Sequence, residues 1–160
     1  MQLTSVDHIY LSVSNFERSE KFYDAVMEPL GFRKGTTAIA GEPHCHYYNR
    51  DFQITIRPAR ATDRAHEPYA LGLHHLCMRA PDREAVDEAA RIMTSIGIAI
   101  DGPRLCPEYA PDYYAVFFSD PDGIRLEIVN HFKRRHTVRE RWDELEGFVN
   151  PLDRLLGRKP

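Results

Sequence analysis

One strand pattern occurs twice in this chain, and that duplication limits the architectures open to it. Asp7-His8-Ile9-Tyr10-Leu11-Ser12-Val13-Ser14-Asn15 and Leu73-His74-His75-Leu76-Cys77-Met78-Arg79-Ala80-Pro81-Asp82 superpose with His75 on His8, 67 residues further on. Side chains on a strand alternate between its two faces. Ile9, Leu11 and Val13 therefore share one face, and Leu76, Met78 and Ala80 match them. His8, Tyr10 and Ser12 take the other face, matched by His75, Cys77 and Arg79.

The segments after the two strands match as well. Ser14-Asn15 is suited to cap a helix over Phe16–Leu30, with Phe16, Phe22, Tyr23, Val26 and Leu30 along one stripe and a stop at Pro29-Leu30-Gly31. A short strand at Phe32–Lys34, a turn at Gly41–Pro43, and strands at His44–Asn49 and Phe52–Arg57 complete the first copy. In the second copy a helix over Arg83–Ile96 starts at Pro81-Asp82 and stops at Gly97. A short strand is expected at Ile98–Ile100, then a proline-bearing loop at Gly102–Asp112. A strand at Tyr113–Ser119, the turn Asp120-Pro121-Asp122-Gly123 and a strand at Ile124–Val129 close it. The expected fold is α+β: two tandem βαβββ modules forming curved mixed sheets around a concave site, plus a C-terminal helical tail. The chain reads as a single domain over 1–160, with modules at 4–58 and 73–130, a linker at 59–72 and the tail at 131–160. In the tail, Val138, Trp142 and Leu145 recur at helical spacing, and Leu152, Leu155 and Leu156 come after Pro151.

The apolar set of Ile9, Leu11, Val13, Ile54, Ile56, Leu76, Met78, Leu126 and Ile128 is expected beneath the helices, at roughly 1.5–3 kcal/mol for each large side chain buried. The opposite face is polar and is the expected working surface. A net charge of −3 gives no general attraction to nucleic acid or to a membrane surface. No apolar run approaches the roughly 20 residues that span a bilayer. Three cysteines, Cys45, Cys77 and Cys106, leave an odd count without a CxxC pair, which fits a reducing, cytoplasmic setting.

Matching the last strands of the two copies puts Glu127 where the first copy has Thr55. Two imidazoles and a carboxylate, His8, His75 and Glu127, then fall at equivalent places on the polar face. Together they make a candidate site for a divalent metal such as Fe(II), Mn(II), Ni(II) or Zn(II), with coordination positions left for substrate. Glu127, Tyr10 and Arg79 are the candidate catalytic residues. Thr55, Gln53, Arg57, Tyr113 and Arg125 are candidates for substrate binding. Arg57 and Arg79 suit a substrate carboxylate or phosphate, but a surface ion pair is the commoner role for either, and Cys77 reads as a small filler rather than a nucleophile. His44 and His46 share a strand face, but the short aromatic run around them leaves open which face it is.

The duplicated βαβββ order, the openings Asp7-His8 and His74-His75, Phe22-Tyr23 followed by Pro29-Leu30-Gly31-Phe32, and Asp120-Pro121-Asp122-Gly123 followed by Leu126-Glu127 resemble the vicinal oxygen chelate superfamily. That group includes glyoxalase I, extradiol dioxygenases, fosfomycin-modifying enzymes and bleomycin-resistance proteins. The resemblance covers about residues 4–130. It implies a divalent metal chelated by two neighbouring oxygens of a small substrate, in a dioxygenase, lyase, isomerase or thiol transferase, and it favours a homodimer. Thr55 stands where glyoxalase I carries a glutamate ligand and base. The His-His-Glu set is closer to the dioxygenases and the fosfomycin thiol transferases. The alternative is a metal-free protein of the bleomycin-resistance kind that only sequesters a ligand.

Overall fold

The computed structural model describes residues 3, 5–62, 64–145, 147–148 and 150–155. Leu156 and residue 4, where the first module was expected to begin, lie outside them. Two four-stranded mixed sheets carry the fold. The first is built from β1 (His8–Val13), β2 (Arg33–Ile39), β3 (Glu42–Tyr48) and β4 (Gln53–Pro58), in the order β1-β4-β3-β2. The second is built from β5 (His75–Arg79), β6 (Asp101–Leu105), β7 (Tyr114–Ser119) and β8 (Arg125–Val129), in the order β5-β8-β7-β6. In each sheet the first strand runs parallel to the last, and the other pairings are antiparallel. A parallel pair needs a crossover, and the helices supply it: α1 (Phe16–Met27) and α2 (Arg83–Ser95).

Both helices start at a side-chain cap. Asn15 Oδ1 accepts from the Arg18 amide at 3.0 Å, and Asp82 Oδ1 accepts from the Ala85 amide at 2.8 Å. They bury Tyr23, Val26 and Met27 on α1 and Val86, Ala89, Ala90 and Met93 on α2. These pack on Leu11, Val13, Ile54, Ile56, Leu76, Met78, Leu126 and Ile128, all buried in one core that runs through both halves, with Ile9 partly buried beside them. Alternation in the sequence thus identifies the helix-facing side correctly.

The halves are also joined by polar contacts. Tyr23 Oη donates to Asp120 Oδ2 at 3.0 Å, and the Ser14 amide donates to Asp122 Oδ2 at 2.7 Å. The Ser14 hydroxyl and Arg18 reach the other oxygen of the same carboxylate.

Three expectations shift. The strand expected at Ile98–Ile100 forms at Asp101–Leu105, because Ile98 and Ile100 are spent on packing against the core as the chain leaves α2. The turn expected at Gly41–Pro43 sits one residue earlier, on Ala40 and Gly41 with φ of 52° and 80°, so that Glu42 and Pro43 already belong to β3. That two-residue hairpin lengthens β2 to Ile39. The tail forms short pieces: α3 (Lys133–Glu140), a 3-10 turn at Trp142–Glu144 and α4 (Pro151–Leu155). Of its expected apolar stripe Val138 is buried, while Trp142 is half exposed.

Candidate functional site

Register decides which side chains share the face opposite the helices. In the second sheet Cys77 pairs with Glu127, His75 with Arg125, and Phe117 with Glu127. His75, Cys77, Arg79, Phe117, Arg125 and Glu127 therefore stand on one open face. Glu127 is only 3% exposed. Its Oε1 accepts from the Tyr113 hydroxyl at 2.5 Å, and its Oε2 lies 3.5 Å from His75 Nε2. The latter distance is too long for a hydrogen bond, which spans about 2.7–3.2 Å for N–H···O. It matches the roughly 3.0–3.5 Å that separates two donors each about 2.0–2.2 Å from a shared ion. Donor chemistry and spacing thus fit one divalent metal between His75 and Glu127. The other ring nitrogen of His75, Nδ1, is 2.7 Å from His74 Nδ1.

His8 stands apart from this pair. Its side chain is 51% exposed, and its Nδ1 is held 2.8 Å from Asp7 Oδ2. That bond places the proton on Nδ1 and frees Nε2 as a lone pair, the usual state of an imidazole prepared for a metal. Among the described residues, however, no three His, Cys, Asp or Glu side chains converge to hold an ion. One chain brings two of the three expected donors together.

The first sheet's open face holds a hydrogen-bonded cluster that the sequence leaves unassigned. Cys45 and Tyr47 face the core, which puts His44 and His46 on the open side, and His46 pairs with Thr55. Gln53 Nε2 donates to Thr55 Oγ1 and to His46 Nδ1. His46 Nδ1 is therefore an acceptor, Thr55 Oγ1 lies 2.9 Å from it, and Nε2–H donates to Thr37 Oγ1 at 2.8 Å. Burial, aided by His44, lowers the pKa of His46 and keeps it neutral. Thr55 is 0% exposed beneath these groups, so its hydroxyl meets no ligand on this surface. His44 donates from Nδ1 to the Glu42 carbonyl at 2.9 Å. Tyr10, 44% exposed, sits edge-on between the rings of His8 and His44, with centroids 5.4 and 5.9 Å away. The burial of Cys45 and Tyr47, which the sequence alone does not give, is what places both histidines.

Of the remaining candidates, Arg57 lies in the first sheet, while Arg79, Arg125 and Tyr113 belong to the same half as Glu127. Arg57 pairs with Glu42, so its charge is matched within the first sheet. Arg79 is exposed at the end of β5, and its charge helps to lower the pKa of His131, after burial. Arg125 lies over the Phe117 ring, 4.5 Å from its centroid. Cys77 and Tyr113 flank Glu127, with Sγ and Oη 4.0 Å apart. Desolvation and then Glu127 push the Cys77 thiol up to about 12. Desolvation and the bond to Glu127 hold the Tyr113 hydroxyl far above the ordinary phenol range. Both are proton-bearing groups at neutral pH. The second open face is less polar than alternation implies. Ala115, Phe117 and Val129 form a small apolar cluster there with Cys106, covered by Tyr113 and Phe132.

Sequence and fold comparisons identify the family to which the fold belongs. The family model described as Glyoxalase/Bleomycin resistance protein/Dioxygenase superfamily matches residues 5–128. This chain belongs to that superfamily. The uncharacterized protein YqjT of Bacillus subtilis (strain 168) is 28% identical over 125 residues, which cover 76% of this chain and 95% of YqjT. A candidate glyoxalase of Bacillus halodurans superposes with a TM-score of 0.65 at 26% identity, covering 78% of this chain and 94% of its own. The lactoylglutathione lyase of Agrobacterium tumefaciens superposes with a TM-score of 0.61, covering 82% of this chain and 96% of its own, and at 18% identity that likeness concerns the fold alone.

Proposed function

We propose that the protein is a divalent-metal-dependent enzyme acting on a small molecule through two neighbouring oxygens, and that it works as a homodimer. His75 and Glu127 of one chain would hold the ion, with His8 of a second copy completing the set. The observation that carries this reading is the 3.5 Å approach of His75 Nε2 to Glu127 Oε2, in a carboxylate whose other oxygen is fixed by Tyr113. A divalent ion there supplies Lewis-acid polarisation of the oxygens bound to it.

The chain's own groups do the rest. Glu127, buried and accepting from Tyr113, would compensate the charge of the ion at a place that water scarcely reaches. Tyr113 keeps its proton and pins Oε1, so Oε2 is the atom left to act. Cys77 stays a thiol and serves as a wall rather than a nucleophile. Tyr10 lies beside His8 and would bring a hydroxyl to the completed site. Arg79, exposed on the same face, would orient a polar substituent.

Metal titration followed by calorimetry or native mass spectrometry tests the reading. Wild-type protein should take up about one Ni(II) or Zn(II) per chain. His75→Ala and Glu127→Gln should each weaken uptake by roughly a hundredfold or more, and Tyr113→Phe by about tenfold, the scale of an outer-shell loss. No uptake by the wild type would leave the second reading, a metal-free ligand-binding protein. That reading is favoured by one observation: a single chain gathers only two of the donors.

A further inference from the structure

A cavity of about 760 Å³ has walls that include Phe22, Ile98, Ile100, Arg104, Phe117 and Arg125, the last of which pairs in register with His75. Two guanidinium groups rest against one aromatic ring in it: Arg125 at 4.5 Å and Arg104 at 5.0 Å from the Phe117 centroid. Two like charges on one ring repel unless counter-charge is supplied. Arg104 has its own partner, Asp101 at 2.9 Å, and also reaches Cys106 Sγ at 3.1 Å. Arg125 has no carboxylate within ion-pair distance among the described residues, although it is half buried. The other acid in the cavity wall, Asp120, is already used. It accepts from Tyr23 Oη and from the Asp122 and Ile124 amides. Glu127 is tied to Tyr113 and faces His75.

We infer that this cavity is a subsite for the carboxylate of an acidic substrate, with Arg125 as the residue that selects for it. Arg125 pairs in register with His75 and precedes Glu127 by two residues on the same face. At about 3.3 Å per residue, the two α-carbons are about 6.5–7 Å apart. One small molecule spans that gap, its carboxylate on the Arg125 fork and its vicinal oxygens beside His75 and Glu127. A planar guanidinium stacked on a ring is pre-oriented for a carboxylate, and Phe117, Ile98, Ile100 and Phe22 accept a hydrocarbon body. The substrate class is therefore a small organic acid carrying a second, oxygen-bearing end. The placement of that second end rests on the function proposed above; the carboxylate subsite does not.

The test uses metal-free full-length protein, so that a failure to bind metal cannot be confused with a failure of the subsite. Binding of 3-phenylpropionate and of its uncharged amide is measured by NMR titration. The acid should bind at least tenfold more tightly than the amide. Arg125→Ala should remove that preference. Arg125→Lys, which keeps the charge but loses the fork, should bind the acid at least threefold more weakly than the wild type, and it decides the matter if the alanine variant does not fold. Equal binding of acid and amide, no binding of either, or an unchanged affinity in the lysine variant would overturn the inference.

Discussion

Position 55 is where the duplicated scaffold departs from its own symmetry. The strand position that carries Glu127 in the second copy carries Thr55 in the first, and the neighbouring strand offers His46 where the second copy has Phe117. An imidazole beside a hydroxyl closes into a neutral network; a phenyl ring beside a carboxylate leaves the acid to find Tyr113 and His75. The neutral network has a pH consequence. His46 has a lowered pKa, from burial first and His44 second, and that of His131 is lowered by burial and then by Arg79 and its neighbours. A histidine lowered in the folded state takes up its proton more readily once unfolded. Its contribution to stability is complete above the ordinary imidazole value of about 6.5 and declines as the pH falls below it. The melting temperature should therefore drop between pH 7.5 and pH 5.5, and His46→Gln should flatten that slope. A slope unchanged in the variant would show that His46 is not the group responsible. At this scale much is readable in the sequence. His8, His75 and Glu127 all stand on the polar side of strands whose other side is plainly apolar. His44 and His46 resist placement, because their strand alternates His with Cys and Tyr, which burial alone separates. The role of Tyr113 is hidden because its partner lies fourteen residues away across the sheet, a relation set by register rather than by local pattern.

Among the elements, β6 differs most from expectation, and glycine explains where it sits. Gly102 has φ of +99°, and a Cβ built there would lie 2.9 Å from the Ala115 carbonyl oxygen of β7. Only glycine lets the chain approach β7 this closely and turn into the strand. Apolar pattern alone favours a strand on the triplet Ile98–Ile100 and a loop on the Gly-Pro pair; packing takes the isoleucines and hydrogen bonding takes the residues after them. Gly102→Ala should cost about 1–3 kcal/mol of stability through left-handed strain and the backbone clash. Thermal unfolding read beside Gly41→Ala, which meets no neighbour within 4 Å, isolates the clash. Equal losses in the two variants would mean that the close approach to β7 contributes nothing. Helices α1 and α2 are legible in the sequence to within a few residues, since caps and stripes are local signals. The helical character of the tail is legible too, but its division into short pieces is not, since short helices rely on contacts that pattern does not record.

For the whole molecule, the order and pairing of two βαβββ units derive from the repeat, and one core unites them. Duplication alone leaves open how the units meet. The junction is built from α1 and the turn before β8: Ser14 and Arg18 on Asp122, Tyr23 on Asp120. With the halves joined in this way, the pair of His75 and Glu127 lacks its third donor, and His8 presents a free Nε2 elsewhere on the surface. No helix among the described residues is long and apolar enough to cross a membrane. The donor that completes the set is sought in a second copy of the chain. A two-fold dimer would supply it twice, each chain giving His8 to the other.

Mixing two defective variants reads this directly. His8→Ala and Glu127→Ala are each expected to bind no Ni(II) in the micromolar range. Dissociated together and allowed to reassociate, they should recover about a quarter of wild-type metal binding, because half of the dimers are mixed and each mixed dimer holds one intact site of two. Metal binding by either variant alone, or no recovery in the mixture when wild-type protein carried through the same cycle rebinds fully, would contradict a site shared between chains.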